Sequence, residues 1–191
     1  MMLETLNPEY RFTSLIKITP EWMHRHHYRV LLTDIDNTLL PRDCSVVSEV
    51  YINWLARMQQ QGVAVVLATN NGGKRTAAIH KQLMENGLNI PILTWAGKPF
   101  PRAYAGAIRL LGESLGADCA DKAVQPSVVL AAGDQLFTDV LGAHWYNLPA
   151  AWLRPLSGND FIGTKVLRIL EKWVTWYLTK KDILPEEDAD I

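Results

Sequence analysis

Short apolar runs alternate along this chain with longer stretches in which apolar residues recur every three to four positions. That alternation argues for strands of a parallel sheet joined by helices that cover both of its faces. The first strand is predicted over 29–35. It leads to a helix over 46–60, where Val47, Val50, Tyr51, Trp54, Leu55 and Met58 fall at helical spacing and Gly62 marks the end. GVAVVLATN reads as the second strand, 74–85 as the next helix with a stop near Gly87, and 92–94 as a short third strand before a helix from Pro101. A polar loop over 118–125 precedes the fourth strand, PSVVLAAGD, and a helix from near Phe137 follows it. A last strand over 150–153 passes through Pro155, Ser157 and Gly158 into a helix over 160–179. The expectation is an α/β fold, a three-layer doubly wound (Rossmann-like) parallel sheet of about five strands. Residues 1–28 are expected as an N-terminal extension, 29–181 as one domain, and 182–191, which close on PEEDADI, as an unstructured acidic tail.

The 191 residues suit a single core, and 48% apolar with 20% charged residues is the balance of a globular rather than a disordered chain. A formal net charge of -1 with no long basic stripe excludes a nucleic-acid reader held by many phosphate contacts. Cys44 and Cys119 stand in neither metal-ligand nor redox spacing, as expected in a reducing compartment, so the chain is placed in the cytoplasm. The N-terminus MMLETLNPEYRF lacks the basic patch and apolar run of a signal peptide, and no stretch approaches the roughly 18 apolar residues of a membrane span.

In open parallel sheets ligands bind outside the carboxyl ends of the strands. Those ends carry Asp34, Asp36, Asn37 and Thr38 after the first strand, Thr69, Asn70 and Asn71 after the second, Lys98 beyond the third, and Asp134 with Asp139 after the fourth. Asp34 and Asp36 sit one residue apart, and crowded carboxylates are unfavourable unless a cation or proton compensates. With Asp134 from another strand, three acids supply the hard oxygen ligands that Mg2+ prefers and leave positions for water and a substrate phosphate. Taken singly, Asp34 serves equally well as a turn residue. Lys98, in AGKPFP, would set an ammonium beside phosphoryl oxygens, with Thr69 and the Asn70 amide as donors to them, although a lone loop lysine is ordinarily just solvated. The Gly72-Gly73 pair reads as a flexible turn in preference to a phosphate-binding helix start.

DIDNTLL, LATNN, GKP and GDQLFTDV, in that order, resemble the haloacid dehalogenase (HAD) superfamily of phosphohydrolases over 29–153. The wording of DIDNTLL and GDQLFTDVLGA, the length and the C-terminal helix resemble the YqeG-type branch of its subclass IIIA, a set related to phosphatidylglycerophosphate phosphatases. The resemblance implies that Asp34 is the nucleophile, forming an aspartyl-phosphate, and a Mg2+ ligand. It implies that Asp36 protonates the leaving oxygen, later activates water, and ligates the metal through its carbonyl. Thr69 would bind the phosphoryl group and Lys98 neutralise it, while Asp134 completes the metal shell. Asp139 would hold Lys98 or a metal-bound water, and Thr38 would support the aspartate loop. A second aspartate favours phosphatase over dehalogenase chemistry, because a leaving alkoxide needs a proton and a halide does not.

Neither LLPRDCSVV after Asp36 nor the stretch from Lys98 to Pro126 has room for a folded cap, so the site is expected to be capless and open. An open site suits a large or surface-held ester such as phosphatidylglycerophosphate; a sugar or nucleotide phosphate is the alternative, and homo-oligomerisation stays open. Arg42, Lys74, Arg102 and Arg154 are candidates for substrate contact, each with solvation as the default reading. Over 160–179 the apolar residues span an arc of roughly 200° while Lys165, Arg168 and Lys172 gather opposite. The helix therefore fits either a core helix with dimer contacts or one lying peripherally on the inner membrane face. HRHHYR, residues 24–29, reads as a solvated basic patch that meets anionic lipid, because the adjacent His26 and His27 cannot easily share an ion. Two further functional classes remain: a phospho-accepting receiver domain, which lacks a late GDxxxxD, and a catalytically idle scaffold.

Overall fold

The computed structural model describes residues 3–116, 124–157, 162–189 and 191. Most of the loop expected over 118–125, Cys119, Gly158 and the helix start at Asp160 lie outside the described residues. Among the described residues one six-stranded sheet organises the fold: β1 (Tyr10–Phe12), β2 (Val30–Thr33), β3 (Ala64–Ala68), β4 (Ile92–Leu93), β5 (Val129–Gly133) and β6 (Ala150–Leu153). The strands run in the order β1-β6-β5-β2-β3-β4 with every neighbouring pair parallel. The central strands, VLLT and VLAAG, are buried at every position, as a sheet covered on both faces requires. Strand order turns about between β2 and β5, and that switch point is where an open α/β sheet forms its crevice.

The α-helices among the described residues are α1 (Pro20–Arg25), α2 (Glu49–Gln60), α3 (Lys74–Glu85), α4 (Pro101–Leu115), α5 (Leu141–Trp145) and α6 (Ile162–Lys180). They divide between two apolar clusters. Trp22 of α1, Leu55 of α2 and Leu83 of α3 pack with Leu31 on one face of β2. Tyr104 of α4, Ala143 of α5 and Val174 of α6 pack with Val30 and Leu32 on the other. The alternation of Val30, Leu31 and Leu32 between clusters is the two-residue period of a strand.

Several expectations need correction. The sheet has six strands rather than about five, because the N-terminal extension supplies β1, which pairs with β6. Its Tyr10 ring meets Trp22 edge-on at 4.8 Å. The acidic tail, expected to be unstructured, returns to this strand: Arg11 forms a bridge with Glu187, and Asp188 accepts the Thr13 N–H at 2.8 Å. Arg154, a candidate for substrate contact, pairs with Glu187 instead, its Nε 2.7 Å from Oε1. The helix predicted from 46 starts at Glu49, leaving Val50 exposed while Ile52 takes the buried position. In place of a helix from Phe137, a π-helical turn over Leu136–Val140 precedes α5. On α6 the broad apolar arc splits, with Glu171, Val174 and Leu178 buried and Ile169, Leu170, Trp173 and Trp176 exposed. Among the described residues no helix is long and apolar enough to cross a membrane.

Candidate active site

The ends of the two strands flanking the switch point supply the acids. Asp34 follows β2 and Asp134 follows β5, and the π-helical turn after β5 swings Asp139 back toward Gly133. Glycine is required there, because a Cβ at Gly133 would lie 2.2 Å from the Asp139 Cγ. Asp34, Asp134 and Asp139 are all buried, and each offers an oxygen within 4.8 Å of the others. The buried Lys98 ammonium bridges two of them, its Nζ 2.7 Å from Asp34 Oδ1 and 2.7 Å from Asp139 Oδ1.

Burial pushes the Asp34 carboxyl up to about 7 against the pull of Lys98, with Asp139 and Asp36 pushing the same way as burial. Burial also works against the Lys98 ammonium, but Asp139 and Asp34 outweigh it and hold its pKa above the ordinary lysine value. One ammonium among three carboxylates leaves a surplus of two negative charges in a dry site. A divalent cation matches that surplus, and an all-oxygen donor set matches magnesium. The residues present therefore fit the ion, with Asp34 and Asp134 best placed to hold it and Asp139 tied to Lys98.

The loop after β3 arranges the remaining groups. Thr69 Oγ1 donates to Asp36 Oδ2 at 2.8 Å, and Asn71 Nδ2 donates to the same oxygen at 2.8 Å. Arg75, in the first turn of α3, donates from Nη1 to Asp36 Oδ1 at 2.8 Å. The Asp36 carboxylate is thus engaged by β3-side donors and stands outside the Asp34, Asp134 and Asp139 cluster. Asn70, expected to donate to phosphate, is placed otherwise. Its Nδ2 donates to the Lys98 carbonyl at 2.9 Å and its Oδ1 accepts the Lys98 N–H at 2.7 Å, so it holds the lysine's loop. Thr38 shapes the turn after Asp34, with its N–H 3.3 Å from the Ile35 carbonyl.

Two contributors escaped the sequence reading. Arg75 reads as a solvated helical arginine, yet its side chain is 22% exposed and ion-paired to Asp36. Glu171, hidden in the apolar arc of α6, is buried and accepts the Leu136 N–H at 2.7 Å, which ties α6 to the segment carrying Asp134. The only advance signal for Glu171 was one acid inside an otherwise apolar face. Tyr104 adds a further tie, its hydroxyl 2.9 and 3.0 Å from the carbonyl oxygens of Thr138 and Asp139.

Among known proteins, a family model described as haloacid dehalogenase-like hydrolase matches residues 31–101, from β2 to the start of α4. The chain is 27% identical over 188 residues to the protein named "Probable phosphatase YqeG" of Bacillus subtilis (strain 168), an alignment covering 98% of this chain and 100% of that protein. Solved structures with a similar arrangement include a haloacid dehalogenase-like family hydrolase from Brucella suis 1330, at 14% identity and a TM-score of 0.48, covering 75% of this chain and 93% of that one. An uncharacterized protein from Corynebacterium glutamicum ATCC 13032 Kitasato aligns at 21% identity with a TM-score of 0.46, over 75% of this chain and 93% of that one.

Proposed function

We propose that the chain is a haloacid dehalogenase-like hydrolase and, within that family, a magnesium-dependent phosphatase acting on a phosphate monoester through Asp34. The observation that carries the reading is the buried meeting of Asp34, Asp134 and Asp139 around Lys98, a nucleophile, a cation site and a phosphate counter-charge in one crevice. The name of the Bacillus subtilis protein points the same way.

An Asp34 carboxylate oxygen attacks phosphorus, the P–O ester bond breaks, and the leaving oxygen takes a proton from Asp36. Water then attacks the aspartyl-phosphate and gives its proton to Asp36, releasing inorganic phosphate and restoring Asp34. Lys98 orients the Asp34 carboxylate and balances charge on the transferring group, while Asp139 holds Lys98 in place. Asp34, Asp134 and the Asp36 carbonyl would hold Mg2+, which supplies charge stabilisation to the phosphoryl oxygens when bound. Thr69 and Asn71 orient Asp36.

The substrate we favour is a lipid-borne phosphate such as phosphatidylglycerophosphate, met at the inner membrane face. What favours it is the short connection between Asp36 and α2, which leaves no room for a cap at that point, together with the exposed Trp173 and Trp176 on α6. Apart from the buried Glu171, the charged residues of that helix are all basic: Lys165, Arg168, Lys172 and Lys180. The test is phosphate release with and without Mg2+ from a panel of lipid, sugar and nucleotide phosphates, each with and without anionic vesicles. Full activity in Asp34→Asn would sink the mechanism, and equal rates with and without vesicles would sink the lipid assignment.

A further inference from the structure

Both oxygens of the Asp36 carboxylate are occupied, and only one of the three donors carries a charge. Arg75 supplies it, and its guanidinium reaches further than the one ion pair. Nε donates to the Cys44 carbonyl at 2.6 Å, Nη1 to Asp36 Oδ1 at 2.8 Å and Nη2 to the Pro41 carbonyl at 3.3 Å. Three nitrogens thus meet three acceptors on the segment that leaves β2, a geometry that a planar fork provides and a point-like ammonium does not. The location is also costly. Arg75 lies in the first turn of α3, where the helix dipole disfavours a cation and no acidic residue in that turn compensates. Asp36, 39 positions earlier, is the acid that offsets it.

We propose that Arg75 is the positioning residue for proton transfer by Asp36: it fixes the carboxylate against α3 and, through the Pro41 and Cys44 carbonyls, locks the segment that carries it. This inference rests on the phosphatase reading and names a residue that acts only through Asp36. Its signature is dependence on the leaving group. The value of kcat/KM reports phosphoryl transfer to Asp34, which needs a donated proton when the leaving group is an alkoxide and not when it is p-nitrophenolate.

The experiment compares glycerol phosphate with p-nitrophenyl phosphate in the unaltered chain and in Arg75→Gln, Arg75→Lys, Asp36→Asn and the Asp36→Asn/Arg75→Gln double variant. Arg75→Gln is expected to lower kcat/KM about 10–100-fold for the alkyl ester and less than about 3-fold for the aryl ester, a part of the 100-fold or more that general acid catalysis supplies. The double variant should match Asp36→Asn within about 2-fold, and Arg75→Lys should recover part of the alkyl-ester loss. Equal losses on both esters, or a further loss in the double variant, overturn the proposal. Should Arg75→Gln fail to fold, the same leaving-group comparison in Arg75→Lys decides, with a uniform loss counting against it. Failure of the phosphatase reading looks different, since the unaltered chain would then release phosphate from neither ester.

Discussion

Replacing Asp134 by asparagine removes a charge from a crowded, dry cluster while keeping the side chain's shape, so stability and activity should move in opposite directions. Asp134 is fully buried, and its oxygen lies within 4.8 Å of those of Asp34 and Asp139. At an effective dielectric near 20, two unit charges at that spacing repel by about 3 kcal/mol. Two such repulsions are relieved as an upper limit, because the Lys98 ammonium already neutralises part of the charge on Asp34 and Asp139. Protonation of Asp34, whose carboxyl is pushed up to about 7, already relieves some of the crowding near neutral pH. The expected gain in the absence of metal is about 1–2 kcal/mol, or roughly 2–8 °C in Tm for a chain of this size.

Magnesium should reverse the order. An ion at 100 times its Kd stabilises the unaltered chain by about 2.7 kcal/mol, whereas Asp134→Asn, having lost a ligand, gains little. Thermal unfolding in EDTA and in saturating Mg2+ gives four midpoints. The variant is expected to be the more stable in EDTA and the less stable in Mg2+, with phosphatase activity down by at least 100-fold. A variant less stable than the parent in EDTA, or a parent whose midpoint ignores Mg2+, would refute the account of a cluster built around a missing positive charge.

Two further outcomes follow from the same geometry. In Gly133→Ala the new Cβ meets the Asp139 carboxylate at 2.2 Å, so Asp139 should leave Lys98, lowering kcat about 10-fold or more with a stability loss of about 1–3 kcal/mol by urea unfolding. The His144 ring has an acceptor at each nitrogen, the Thr5 carbonyl 2.5 Å from Nδ1 and Glu9 Oε2 3.0 Å from Nε2, so only the imidazolium satisfies both. Burial pulls His144 down, but those contacts prevail and raise it above 6.5; the stability it confers is present below about 6.5 and lost as pH rises through the raised value. Burial likewise raises Glu9, but His144 and the Ala150 N–H bring it below 4.5, so its contribution is present above about 4.5 and lost as pH falls through the depressed value. With solvent screening at the part-exposed Glu9, His144→Ala should cost roughly 0.5–1 kcal/mol at pH 6 and much less at pH 9, read from Tm and from amide exchange over residues 3–9.

How much of this was legible in the sequence depends on the distance over which each feature is encoded. The strands β2, β3 and β5 announce themselves through contiguous apolar runs, and the acids at their ends through local spacing, so the α/β fold could be anticipated, as could the nearness of Asp34 to Asp134 and to Lys98. β1 could not, because three residues carry too little period and the strand is defined by pairing with β6, 141 positions away at Tyr10 and Ala151. The tail misled for a related reason. A run of acids reads as solvated until Arg11, Arg154 and Thr13 are brought beside it by the sheet.

The site residues divide along the same line. Spacing identifies which chemical groups arrive at the crevice but not which way they turn. Asn70 has a donor and an acceptor, and only the folded loop shows both directed at the main chain of Lys98. Asp36 is two residues from Asp34, yet its carboxylate is held by Thr69, Asn71 and Arg75, each more than thirty positions away in the sequence. A single element can therefore separate two neighbouring acids into two electrostatic environments, one crowded by like charges and Lys98, the other answered by Arg75. A nucleophile and a proton carrier need different partners, because the one must be aimed at phosphorus and the other at the leaving oxygen. Periodicity in the sequence builds the strand that places them side by side, and residues from the next strand and helix make them different.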